Sequence, residues 1–379
     1  MKWVRLDDIV KIIKGKKVEE STNESEKLIR YIQIEDLRND DNLKYTEDSK
    51  AIIVNEEHIL IAWDGANAGT IGFNLEGAIG STISALEING LYKNNFSSEF
   101  LGYYLRSKNY YLRATTTGAT IPHISRPALL KLKIPIISIK NQQKIVDVLK
   151  KLEELMSRRK KQIQAYDNLI ESLFSNITTF ENEGILKKLI KVNPSKSEVK
   201  KLDDNLLVSF VPMEDVSETG RLFLKHEKKI EDVYKGFTYF RDNDVVVAKI
   251  TPCFENGKGA LMKGLKNGIG FGTTEFHVLR INDLKKVNPI WLFYLTRSKK
   301  FRLYGELQMT GSAGQKRISK SFIENYKINL PPIELQNKFA DYVIKIEEEK
   351  KKLNSSLKEL EDLFGALMQD AFSGNLFKD

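Results

Sequence analysis

Two stretches of the chain concentrate side chains able to hold a polyanion. Thr115-Thr116-Thr117-Gly118-Ala119-Thr120 runs on to His123, Ser125 and Arg126, and Thr310-Gly311-Ser312-Ala313-Gly314 runs on to Gln315-Lys316-Arg317, Ser319 and Lys320. Small residues let backbone approach a phosphate, hydroxyl and basic groups bind its oxygens, and Gln or Arg can hold a base edge through two bonds at once. Lys14-Gly15-Lys16-Lys17 is a further basic loop. The candidate nucleic-acid contacts are therefore Lys14, Lys16, Lys17, Thr116, Thr117, Gly118, Thr120, His123, Ser125 and Arg126 in the first half of the chain. In the second half they are Thr310, Gly311, Gln315, Lys316, Arg317, Ser319 and Lys320. The plain alternative is that these are ordinary solvated loops. The run Arg158-Arg159-Lys160-Lys161 sits on a helical pattern and reads as a solvated face before it reads as a contact with a DNA spacer backbone.

Other chemistry is thin. The four histidines, His58, His123, His226 and His277, are scattered, and no pair has metal-ligand spacing. No glycine-rich loop has the order of a phosphate cradle; Gly257-Lys258-Gly259 comes nearest and reads as a turn. There is no dinucleotide fingerprint after a strand and no nucleophile elbow. Glu35-Asp36 recurs as Glu214-Asp215, and turn or helix-capping use is the simpler reading of both. A chain without a nucleophile, base or cofactor loop reads as a binder, not a catalyst, with no metal site and no cofactor of its own.

The elements that must position these loops come in two copies. Within 379 residues, length alone suggests two or three domains. Tyr31-Ile32-Gln33-Ile34-Glu35-Asp36-Leu37 is echoed by Phe210-Val211-Pro212-Met213-Glu214-Asp215-Val216, and His58-Ile59-Leu60-Ile61-Ala62 by Asp244-Val245-Val246-Val247-Ala248. Tyr103-Tyr104-Leu105-Arg106-Ser107 finds Phe293-Tyr294-Leu295-Thr296-Arg297-Ser298, and Pro135 and Pro331 each precede a long helical pattern. The fixed order of these matches marks an internal duplication. The β-branched runs predict strands, short helices are expected at Ser98–Ser107 and Pro289–Ser298, and turn-rich stretches such as Asp64–Gly69 and Glu255–Gly259 separate the strands.

Both helical patterns step alternately by four and three. Ile145, Leu149, Leu152, Met156, Arg159, Ile163, Tyr166, Ile170, Leu173 and Ile177 form one list; Phe339, Val343, Ile346, Lys350, Leu353, Leu357, Leu360, Phe364, Leu367 and Ala371 form the other. Such stepping is a coiled-coil seam, because 3.5 residues per turn keeps one stripe facing a partner. Lys140–Ile177 holds eight basic and five acidic residues, Glu334–Ala371 six basic and nine acidic, so the two helices suit each other better than copies of themselves. Helix ends are expected near Asn176–Thr179 and at Ser373-Gly374. The expected fold is α+β: two similar mixed α/β units at opposite ends of two long antiparallel coiled-coil helices, related by a pseudo-two-fold repeat, with Phe377 returning towards Met1.

Lys plus Arg exceed Asp plus Glu by 60 to 51, which favours an anionic partner without proving one. The single Cys253 leaves no internal disulfide and fits a reducing compartment. No apolar run reaches the ~18 residues of a membrane span, and Met1-Lys2-Trp3-Val4-Arg5-Leu6 holds no apolar signal core, so a cytoplasmic protein is expected.

Two units, each followed by a proline-marked junction and a heptad helix, resemble the specificity (S) subunit of type I restriction–modification systems. The segments that carry the resemblance are Trp3-Val4-Arg5-Leu6, Thr117-Gly118-Ala119 with Ile124-Ser125, and Leu132-Lys133-Ile134-Pro135 running to Gln142-Gln143-Lys144-Ile145. Their repeats are Thr310-Gly311-Ser312 with Ile318-Ser319, and Ile328-Asn329-Leu330-Pro331-Pro332 running to Gln336-Asn337-Lys338-Phe339. The resemblance implies target recognition domains at 1–139 and 179–333, and spacer helices at 140–178 and 334–379. Each domain would read half of a bipartite, asymmetric double-stranded DNA site while the helices measure the unread spacer. Two methyltransferase (M) and two restriction (R) subunits would be the partners, and S-adenosylmethionine, ATP and magnesium would belong to them. Two departures stand out: Pro135-Ile136-Ile137-Ser138 lacks the usual second proline, and Gln315-Lys316-Arg317 stands where the first loop has Ile121-Pro122-His123.

Two other classes compete. One is a DNA-modifying enzyme, a nuclease or a methyltransferase with a recognition domain attached; the methyltransferase would need a cofactor loop and an Asn/Asp-Pro-Pro-aromatic tetrapeptide. Asn329-Leu330-Pro331-Pro332-Ile333 does not supply it. A coiled-coil adaptor for proteins would show no salt-dependent DNA affinity, whereas phosphate contacts make affinity fall steeply with salt.

Overall fold

The computed structural model describes residues 2–21, 28–118, 120–179, 182–312 and 314–373. Ala119, Ala313, the helix stop at Gly374 and the return of Phe377 towards Met1 lie outside the described residues. The chain forms two compact units, Met1–Lys161 with Asn354–Asp379, and Gln162–Leu353.

In the first unit the strands are β1 (Lys2–Arg5), β2 (Val10–Lys14), β3 (Ile29–Ile32), β4 (Lys44–Thr46), β5 (Ile52–Val54), β6 (Ile59–Ala62), β7 (Ile71–Phe73), β8 (Gly77–Ile79), β9 (Ile83–Ile88) and β10 (Lys133–Ile136). They assemble as an antiparallel sheet in the order β2-β9-β6-β7, a second sheet β4-β3-β8-β5 and a ribbon of β1 with β10. The central strand β6 is apolar throughout because it is buried on both faces. Successive side chains point to opposite sides of a strand, so Ile59 and Ile61 join the core beneath the helix Ser98–Ser107, while Leu60 and Ala62 join the layer between the two sheets. Burying each of these larger side chains is worth about 1.5–3 kcal/mol.

The second unit contains β11 (Glu183–Ile185), β12 (Ile190–Val192), β13 (Leu207–Val211), β14 (His226–Lys229), β15 (Thr238–Arg241), β16 (Val245–Ala248), β17 (Gly259–Leu261), β18 (Ile269–Gly272), β19 (Phe276–Ile281) and β20 (Lys327–Asn329). Its sheets run β12-β19-β16-β17 and β14-β13-β18-β15, with a β11–β20 ribbon. Every strand has its counterpart ten places earlier, with the same neighbours. Even the parallel pair is repeated: β3 lies along β8, and β13 along β18. In β16, Val245 and Val247 face one core and Val246 and Ala248 the other, repeating the division in β6.

The first long helix spans Ile139–Ile177 and the second Ile333–Ser373. A buried glutamine ties the start of each to its globular part. Gln142 accepts from the Ser97 amide at 3.0 Å and donates to the Asn95 and Ile137 carbonyls at 2.6 and 3.0 Å. Gln336 does the same with the Asn288 amide and the Lys286 and Pro331 carbonyls, at 2.9, 3.1 and 2.8 Å. A buried amide this well satisfied costs little, whereas removing it would strand three backbone groups.

Within each unit the two helices run antiparallel. In the first, Ile145, Val146 and Leu149 share a core with Met368, Ala371 and Phe372, while Lys160 lies 3.5 Å from Glu361. In the second, the Phe174 and Phe339 rings are 5.7 Å apart and Asp167 is 2.6 Å from Lys350. Of the seam positions, Ile145, Leu149, Leu152, Ile170, Phe339, Val343 and Ile346 are buried. Met156, Ile163, Tyr166, Leu173, Leu353, Leu357, Leu360, Phe364 and Leu367 are half-buried. Packing against the globular part widens the apolar face, which is why Val146, Phe174, Ala340 and Met368 are buried outside the heptad lists. Among the described residues no helix is long and apolar enough to cross a membrane.

Candidate nucleic-acid interface

Strand register gathers the loops of the first unit at one sheet edge. Lys14 pairs with Ser84, Ile83 with Ala62, and Ile61 with Ile71, so the end of β2, the start of β9, the end of β6 and the start of β7 lie side by side. The loop carrying Lys14, Lys16 and Lys17 leaves from there with all three lysines exposed. Gly15 lets it pass: a Cβ at this position would sit 2.1 Å from the Gly80 carbonyl oxygen, closer than any side chain tolerates.

The Thr117–His123 loop hangs from the same edge. Thr117 and His123 exchange backbone hydrogen bonds of 2.9 and 2.7 Å, Gly65 donates to the Pro122 carbonyl and Ile124 to that of Trp63. Gly118 has φ +97°, and a Cβ there would lie 2.4 Å from the Ile121 carbonyl oxygen. Its smallness therefore serves the turn itself. Thr117, Gly118, Thr120, His123 and Arg126 are exposed. The Thr116 hydroxyl donates to the Arg113 carbonyl at 2.9 Å, and the Ser125 oxygen accepts from the Ala128 amide to cap a short helix.

The second unit repeats this arrangement. Val192 pairs with Leu279, Phe276 with Ala248, and Val247 with Gly259, and the Thr310–Arg317 loop hangs from that edge through Ile318 to Lys249 and Thr251 to Lys316. Thr310 and Arg317 exchange bonds of 3.1 and 2.8 Å. Thr310, Gly311, Gln315, Lys316 and Lys320 are exposed, Lys320 pairing with Glu324 at 3.3 Å. Ser319 caps the helix Lys320–Asn325 by accepting from Phe322. Asn193-Pro194-Ser195-Lys196 follows β12 where Gly15-Lys16-Lys17 follows β2, so the second edge lacks the lysine-rich loop.

Two acids outside the candidate contacts stand behind the loops. The His123 imidazole Nδ1 is 2.6 Å from Asp64 Oδ1. Arg317 holds Glu275 through Nε and Nη2, each at 3.0 Å. The guanidinium's hydrogen bonds keep the Glu275 carboxyl below the usual carboxylate range. Asp64 opens the turn-rich stretch after β6, where its type suits a turn as well as an ion pair. Nothing local links Glu275 to a residue 42 positions away.

Next to the first loop, Arg38, Asn67, Thr70, Arg106, Asn109 and Arg113 line a groove of 630 Å³. Arg38 donates to Asn67 at 2.7 Å and Thr70 at 3.1 Å, and Arg106 stacks over the Phe73 ring at 4.2 Å while pairing with Glu153. Its counterpart Arg297 turns to the Glu218 carbonyl, so the two edges present different charge patterns. The repeated acids serve local structure: Asp36 accepts from the Gln33 amide and pairs with Arg30, and Asp215 is buried beside Lys225. No cluster of histidine, cysteine and acidic residues able to hold a metal occurs among the described residues.

Both halves match the family model of the type I restriction modification DNA specificity domain, over residues 1–165 and 175–361. The chain is 46% identical over 157 residues to the type I restriction enzyme EcoAI specificity subunit of Escherichia coli. That match covers 40% of this chain and only 26% of the relative. The MjaVIII specificity subunit of Methanocaldococcus jannaschii is 29% identical over 368 residues, 89% of this chain and 84% of the relative. In fold the chain is similar to the type I restriction–modification S subunit from M. genitalium, with TM-score 0.57, 15% identity and 98% and 96% of the two chains covered. A chain from a study of assembly and conformational transition of a type I restriction–modification system gives TM-score 0.58 at 17% identity, covering 99% and 98%.

Proposed function

Since the chain belongs to the type I restriction modification DNA specificity family, we propose that it is the DNA-recognition subunit of such a system, each unit reading one half of a bipartite, asymmetric site. One observation carries this reading: among the described residues the same order of ten strands is used twice, yet the loops at its edge differ, Thr117–His123 in one copy and Thr310–Arg317 in the other. A repeated frame places two readers in the same way, and unlike loops read unlike sequences. The long helices set the unread spacer and dock two methyltransferase subunits, which restriction subunits join. The chain itself is non-catalytic; adenine methylation with S-adenosylmethionine and ATP- and magnesium-dependent cleavage belong to the partners.

The test is co-purification with the methyltransferase subunit, followed by mapping of methylated adenines in host DNA. A bipartite motif that vanishes when this gene is deleted is the expected result. An unchanged methylation map and no stable methyltransferase partner would overturn the reading in favour of a protein adaptor.

A further inference from the structure

Arg317 is held at both ends. Its backbone is clamped by two hydrogen bonds to Thr310, and its neighbour Ile318 bonds to Lys249. At the other end Glu275 takes the Nε and Nη2 edge of the guanidinium, and the Gln315 carbonyl accepts from Nη1 at 3.1 Å. A guanidinium has five N–H donors. Three are engaged here, which leaves one on each Nη. The side chain is 39% exposed, and a surface ion pair adds little stability, so its consequence is orientation: a flexible side chain is set before anything binds.

The first unit solves the same problem with other parts. His123 occupies the matching loop position, bonded both ways to Thr117, and Asp64 holds its Nδ1. The acids are not copies of one another, since Asp64 follows β6 and Glu275 precedes β19. The Asp64 contact fixes the ring through Nδ1 and leaves Nε2 as its free polar edge. One loop thus presents a guanidinium with free N–H donors and the other a single imidazole nitrogen.

On the reading that these loops meet DNA, we propose that Glu275 is a positioning residue that aims Arg317 at the O6/N7 edge of a guanine in the half-site read by the second unit. Guanine's major-groove edge offers two acceptors side by side, the pattern that two parallel N–H donors match. A phosphate group offers similar acceptors without sequence information, and the two are separated by experiment.

The full chain, assembled with its methyltransferase partner, would be assayed on duplexes with each base pair of both half-sites varied in turn. Arg317→Ala is expected to lose about 10- to 100-fold discrimination at one guanine of one half-site. Glu275→Ala should relax that position too, Glu275→Gln should restore part of the preference, and the other half-site should stay unchanged in all three, which also reports intact folding. Replacing the guanine by 7-deazaguanine should slow the wild-type complex and leave Arg317→Ala indifferent. A change with Arg317→Ala but none with Glu275→Ala would overturn the positioning role. Equal weakening on every duplex would make Arg317 a phosphate contact. No effect of Arg317→Ala on any duplex would refute the loop as a DNA contact altogether.

Discussion

Lys350, only 9% exposed in the helix pair of the second unit, places its ammonium 2.6 Å from the carboxylate of Asp167 on the facing helix. Glu347, one turn earlier on its own helix, lies at 2.7 Å. A lysine at a seam position is stabilised only where its partner stands opposite, so this contact favours one antiparallel register over slipped ones. Its heptad counterpart is Met156, which has no such demand.

Removing the charge while keeping the volume separates stability from register. Lys350→Met should leave the melting temperature unchanged or raise it, because Asp167 and Glu347 are only half-buried and stay solvated when a well-packed apolar residue replaces the buried ammonium. Lys350→Ala should lower it through lost packing. Burial lowers the lysine's affinity for its proton, but the bonds to Asp167 and Glu347 outweigh this, so its folded pKa is raised. A raised pKa contributes stability that is complete below the ordinary lysine range and is lost as pH climbs through the folded value. Thermal stability should therefore fall at alkaline pH in the wild type more than in Lys350→Met; parallel curves would contradict the assignment.

Arg280 and Asp244 form the most deeply buried ion pair of the second unit, with two bonds of 2.8 and 2.6 Å and side chains 8% and 2% exposed. Glu198 adds a third carboxylate oxygen at 2.6 Å. Removing one partner leaves an uncompensated charge, so Asp244→Ala should cost about 3 kcal/mol or more in urea unfolding. Arg280→Met with Asp244→Leu should recover most of that loss. If the single substitution cost no more than an exposed pair, the site would be wetter than its geometry implies.

Lys14, Lys16 and Lys17 are exposed at the sheet edge of the first unit, where phosphates rather than bases are the fitting partners. Each Lys→Ala change should weaken DNA binding alike on specific and non-specific duplexes. It should also reduce the slope of log K against log salt by about 0.9. Titrations at several salt concentrations decide this; a slope that does not move would remove these lysines from the interface.

Periodicity and repetition were legible without coordinates because both are local. The heptads from Ile145 and Phe339 follow from helical geometry, and the apolar runs at Ile59–Ala62 and Val245–Ala248 follow from strands buried on two faces. The duplicated phase already implied a duplicated frame. Residue types also picked out Thr117–His123 and Thr310–Arg317, since hydroxyl, glycine and basic groups announce their chemistry wherever they lie. What those groups touch could not be read from order along the chain. The hydroxyl oxygens of Ser125 and Ser319 cap helices. Arg317 meets Glu275 only because β16 pairs with β19, setting Ala248 opposite Phe276, and because Ile318 bonds to Lys249. Contacts of this kind depend on sheet register across tens of residues, and a shift of one residue would turn every side chain to the other face. Sequence alone determined the duplicated plan and the candidate loops; tertiary pairing decided which acid stands behind each loop.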